Sequence, residues 1–130
     1  MRTKTDVQSY LLDLGVPFHE VGDAKWVIED EAEGIPKIVV QLADPLVVFH
    51  IKVMPCPTER REEFLEALLR ANVDQMVHGA FGLSGNEVVL LDTLQLENLD
   101  FNEFQASIES LDYALAQHAS SLAPWSKPEA

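Results

Sequence analysis

The chain is 130 residues long, 47% hydrophobic and 24% charged, a balance that builds one real core and is wrong for a disordered polypeptide. Its 22 acidic residues against nine Lys and Arg leave a formal net charge of -13, which repels DNA, RNA and anionic membrane surfaces and so excludes them as partners. Between Arg70 and Lys127 there is no basic residue at all, while Asp74, Glu87, Asp92, Glu97, Asp100, Glu103, Glu109 and Asp112 all fall there.

No apolar run reaches the roughly 18 residues that span a bilayer, since even LVVFHIKV is interrupted by His50 and Lys52. The opening MRTKTDVQSYLLDLG has only a short amphipathic stretch and no signal-peptide core. A single cysteine, Cys56, cannot form an intrachain disulfide, so a reducing cytoplasm is the expected location.

In chain order, Thr5 and Gln8 have capping-box spacing, and Val7, Tyr10, Leu11 and Leu14 share one helical face before Gly15 and Pro17; the pattern predicts a helix from Thr5 to Leu14. Three β-rich runs follow, Trp26 to Glu29, Ile35 to Leu42 and Leu46 to Met54, separated by DEAEG and by Ala43-Asp44-Pro45. In the third, Val47, Phe49, Ile51 and Val53 alternate with Val48, His50 and Lys52, which predicts one buried face and one partly wet face. Thr58 is placed to cap a second helix with Glu59, Glu62 and Glu63 near its positive end and Phe64, Leu65, Leu68 and Leu69 as its buried stripe. Strand character returns from Met76 to Leu83 and from Glu87 to Thr93, joined through Ser84-Gly85-Asn86 as a hairpin.

The last helix has the clearest start: Asp100 as N-cap faces Glu103, and Leu99 and Phe104 stand at the two positions of a hydrophobic staple. Phe101, Phe104, Ile108, Leu111 and Leu115 then form a seam continuing through His118 to Leu122, ended by Pro124. Burying those five side chains contributes on the order of 10 kcal/mol before conformational entropy is subtracted, so this helix must pack on the sheet, a second subunit or a client. The predicted order is α-β-β-β-α-β-β-α: an α+β fold with a mainly antiparallel sheet and helices packed on it. A single domain is expected over residues 1–123, with 124–130 as a loose tail from which Trp125 folds back or adds to a contact.

Along these elements run Trp26-Val27-Ile28, VVFHIKVMP, EEFLEALLRAN, HGAFGLSGNEVVLLDTLQLENLD and FNEFQASIESLDYAL. Together they resemble the YbjN family, which shares the fold of class I type III secretion chaperones. The resemblance covers about Trp26 to Leu115 and rests on packing and turn signatures. It implies an acidic, cytoplasmic homodimer that binds protein or peptide segments along apolar grooves.

Motifs for chemistry are weak. Cys56 stands between two prolines with no His near it in sequence, and reads as a small buried hydrophobe without a charged partner. His19, His50, His78 and His118 lack metal-ligand spacing. Glu29, Glu31, Glu33 and Gly34 imitate the start of a calcium loop, but Val40 stands where its bidentate acid belongs, so a solvated hairpin tip is expected. Gly79, Gly82 and Gly85 lead into a strand and suit close strand approach better than phosphate binding. No catalytic residue, cofactor or metal is therefore expected.

The function expected is a chaperone-like protein-binding module, not an enzyme. The alternatives are a small enzyme or metal sensor with a dispersed site, or a purely structural subunit. The expected client is an apolar segment with a basic flank, because one-signed charge steers association while apolar contact holds it. Phe49, Ile51, Phe81, Leu83, Phe104, Leu111 and Trp125 are the candidate contact residues.

Overall fold

The computed structural model describes residues 1–30, 32, 35–74, 76 and 79–126. Helix α1 (Lys4–Leu14) is followed by strands β1 (Phe18–Gly22), β2 (Lys25–Asp30), β3 (Ile35–Ala43) and β4 (Leu46–Pro55), helix α2 (Arg61–Asp74), strands β5 (Ala80–Ser84) and β6 (Glu87–Gln95), helix α3 (Phe101–Leu122) and a 3-10 turn (Ala123–Ser126). All strand pairs are antiparallel, in the order β1-β2-β3-β4-β6-β5. This is the predicted α+β arrangement with one more strand. β1 escaped the sequence pattern because period-two alternation is visible only where alternate residues are buried, and here Phe18 is half-buried and the other four residues are exposed.

The capping box of α1 is formed by Thr3 and Asp6 rather than Thr5 and Gln8: Thr3 N–H donates to Asp6 Oδ2 at 2.8 Å and Asp6 N–H to Thr3 Oγ1 at 3.5 Å. At the other end Gly15, at φ 73°, closes the helix in the left-handed region. Val7 and Leu11 enter the core, and Tyr10 donates its hydroxyl to the Leu99 carbonyl at 2.8 Å. The Arg2 Nε reaches that carbonyl as well, at 2.7 Å. The chain's start is thereby tied to the approach to α3.

In β4, Val47, Phe49 and Ile51 point into the core while Val48 and His50 are half-buried, as the alternation predicts. The register shifts between Lys52 and Met54, so Met54, not Val53, takes the next core position. Such a bulge puts two residues opposite one and exchanges the faces beyond it.

α2 starts at Arg61, with the Phe64 N–H bonded to the Arg60 carbonyl at 3.0 Å, so the helix begins beyond the predicted Thr58 cap. Arg60 has φ 56° and its guanidinium donates to Glu63 at 2.8 and 3.2 Å; that pairing holds the Glu63 carboxyl below its ordinary range. Only half the predicted stripe goes inside. Phe64 and Leu68 are buried, Leu65 is half-buried and Leu69 is 66% exposed.

α3 begins as its sequence dictates. Glu103 N–H donates to Asp100 Oδ1 at 2.8 Å and Asp100 N–H to Glu103 Oε1 at 3.3 Å. It packs on β3, β4 and β6, burying Phe104, Ser107, Ile108, Leu111, Ala114 and His118, with Phe101 and Leu115 half-buried. Ser107 belongs to the buried face because Asp92 on β6 accepts its hydroxyl at 2.7 Å. The seam closes within one chain. Gly79, at φ 76°, crosses so near β6 that a Cβ there would lie 2.7 Å from the Leu91 carbonyl oxygen and 3.2 Å from Leu111 Cδ2, the close strand approach expected of a glycine.

Candidate protein-binding site

Five of the seven residues expected to contact a partner lie in the single hydrophobic core. Phe49, Ile51, Phe81, Phe104 and Leu111 are buried there, with Phe49 and Phe104 packed edge to face at 5.3 Å. Their side chains are consumed by the fold and present no surface. Leu83, on β5, is 41% exposed. Trp125 is half-buried, its ring 5.2 Å from that of Phe64 and the Arg60 guanidinium 4.9 Å from its centroid. Residues 123–126 thus form a turn laid back on the domain, where a loose tail was expected from 124.

The apolar surface that is available lies elsewhere. On α2, Leu65, Leu69 and Val73 recur every fourth residue, and Leu69 and Val73 are 66% and 83% exposed. Beside them runs a shallow groove of about 560 Å³ lined by Arg61, Glu62, Leu65, Glu66 and Leu69. At the other end of the sheet Leu12 on α1 and Val21 on β1 are 64% and 48% exposed. Lys4 bridges these two elements through Glu20 at 2.9 Å, a hydrogen bond that raises the Lys4 pKa above its ordinary value. A signal for the α2 row existed: apolar residues at 64, 65, 68, 69 and 73 span too wide an arc for one buried face.

The two margins of the sheet differ. Along β5 the backbone of Phe81 is already occupied, its N–H donating to Asn72 Oδ1 at 2.7 Å and its carbonyl accepting from Asn72 Nδ2 at 3.2 Å. β1, the terminal strand at the other end, pairs with β2. An unpaired strand margin presents a row of donors and acceptors ready for another strand.

The remaining chemistry-bearing side chains are dispersed. Cys56 is buried, but Arg61 Nη1 lies 2.9 Å from its Sγ, a cationic neighbour that sequence reasoning did not anticipate. His19 is exposed on β1, and His118 is buried in the α3 seam. Burial, and then Lys25 and Lys52, push the half-buried His50 below the usual imidazole pKa. His78 and most of the acidic turn, Glu31, Glu33 and Gly34, lie outside the described residues. Among the described residues no group of three or more His, Cys, Asp or Glu is placed to hold a metal, and no helix is long and apolar enough to cross a membrane.

The sequence profile of the CesT_Tir_1 family matches residues 1–128. Among solved structures the fold is similar to that of YbjN from E. coli, at 15% identity and a TM-score of 0.69 over 92% of this chain and 93% of that one. It is also similar to a chain of the ExoU–SpcU heterodimer from the type III secretion system of Pseudomonas aeruginosa, at 14% identity and a TM-score of 0.72 over 95% and 99% of the two chains. A chain of the HopA1–SchA chaperone–effector complex matches at 10% identity and a TM-score of 0.65 over 88% and 90%. No curated protein matches the sequence. At these identities the likeness is one of fold, and it bears out the YbjN and secretion-chaperone architecture expected from the sequence.

Proposed function

Because the chain belongs to the CesT_Tir_1 family over residues 1–128, we propose that it is a chaperone-like module that binds a segment of another protein and catalyses no reaction. The observation that carries this reading is the open margin of β1, four of whose five residues are exposed. An extended client strand added there gains main-chain hydrogen bonds, and Val21 and Leu12 offer it apolar contact. The client is an apolar segment with a basic flank, since a net charge of -13 attracts cationic and repels anionic segments. The HopA1–SchA structure, a chaperone with its effector, supports a protein client for this fold.

The α2 row of Leu65, Leu69 and Val73 supports a homodimer in the cytoplasm. Two copies joined along it bury roughly 1,200 Å² or more in total, the size of a stable interface. Affinity capture with wild-type protein and with a Leu12→Glu, Val21→Lys variant, read by mass spectrometry, separates the two surfaces. A polypeptide held by the wild type, lost by the variant and weakened between low and physiological salt is the expected result. The same proteins captured by both, or binding indifferent to salt, rejects β1 and the basic flank.

A further inference from the structure

Where α2, β5 and the last turns of α3 meet lies a cavity of about 310 Å³, separate from the β1 margin and from the exposed α2 row. Phe64, Leu68, Phe81, Leu122 and Trp125 supply apolar walls. Its aromatic groups are set edge to face, Phe64 with Trp125 at 62° and Phe81 with His118 at 81°, each pair 5.2 Å between centroids. Arg70, already bonded to Glu66 at 3.0 Å, and Asp74 are exposed at its mouth.

One polar group faces inward without a partner. His118 is 4% exposed, lines this cavity, and its Nε2 is buried with no hydrogen bond. A buried ring nitrogen left unpaired is unfavourable, and a bound group that reaches it recovers the missing hydrogen bond. Whether that nitrogen carries a proton or a lone pair, a hydroxyl satisfies it, because a hydroxyl both donates and accepts. A carboxylate or phosphate meets instead the repulsion of a chain of net charge -13. Edge-to-face aromatic walls favour a further aromatic ring. Benzene fills a cavity of about 150 Å³, so the observed 310 Å³ accommodates one substituted or two fused rings.

The geometry points to a binding site for a small neutral aromatic alcohol, its rings against Phe64, Phe81 and Trp125 and its hydroxyl on His118 Nε2. The proposal is independent of the protein-binding reading. The test is NMR titration of the full chain with 5-indanol and with indane, which share a fused-ring skeleton and differ by the hydroxyl. Both are expected to shift the resonances of Phe64, Phe81, His118 and Trp125 saturably, with 5-indanol bound roughly fivefold tighter, the factor given by one net neutral hydrogen bond. His118→Phe brings the two affinities level, and Ala67→Trp, a change at an exposed wall residue, abolishes both. Absence of saturable shifts in the wild type, or equal affinity of the two probes, overturns the assignment whether or not the His118 variant folds.

Discussion

Replacing Leu111 by Ala decides whether the α3 seam is a core or a contact surface. Leu111 is fully buried, and its Cδ2 lies close to where a Cβ on Gly79 would stand, at 3.2 Å. Gly79 has no side chain to move into a void, and its backbone is held against β6. Removing three buried carbons costs about 2.4 kcal/mol at ~0.8 kcal/mol each. A residual cavity of ~50 Å³ adds about 1.2 kcal/mol at ~24 cal/mol per Å³. Together they amount to about 3.6 kcal/mol, which lowers the melting temperature of a domain this size by roughly 10–18 °C. Urea denaturation followed by circular dichroism measures it, with the midpoint moving and the slope unchanged. A loss below about 1 kcal/mol, typical of surface substitutions, refutes the closed seam and returns Leu111 to the surface.

Asp100→Ala removes the α3 cap, which accepts from Glu103 N–H at 2.8 Å, and is expected to cost about 1 kcal/mol; an unchanged denaturation midpoint contradicts the cap. His50 has a pKa lowered mainly by burial, so the unfolded chain takes up its proton first. Its contribution to stability is present in full above the ordinary value of 6.5 and is lost as pH falls from there toward the folded pKa. His50→Gln flattens that part of the stability profile measured by thermal melts, and an identical profile rejects this. Cys56, 3% exposed, reacts slowly with thiol reagents until urea is added, and Cys56→Ser leaves partner binding intact. Rapid native labelling, or loss of binding, overturns its packing role.

The sequence made legible those elements whose signals are local and reinforced by burial. Asp100 and Glu103 form their capping box at the predicted residues, and β4 alternates as far as Ile51. β1 is built mostly of exposed residues and so carries no apolar period. The candidate contact residues went astray for a related reason. Phe49, Phe104 and Leu111 are the most apolar positions of their elements, and the same property that suggests a sticky surface makes them the first to enter the core. Contacts between distant segments left no mark in the sequence. Asn72 on the Phe81 backbone, Arg61 on Cys56 and Tyr10 on Leu99 depend on how α2, β5 and α1 pack.

A photoreactive residue placed at Val21, in a lysate of the cells that make this protein, tests most directly whether the β1 margin holds a client. Val21 is 48% exposed on the open strand and Tyr113, the control position on α3, is 69% exposed. Irradiation is expected to join Val21, but not Tyr113, to a defined segment of another polypeptide, with basic residues flanking the joined site. Adducts that are the same from both positions, or that contain only second copies of this chain, contradict the account.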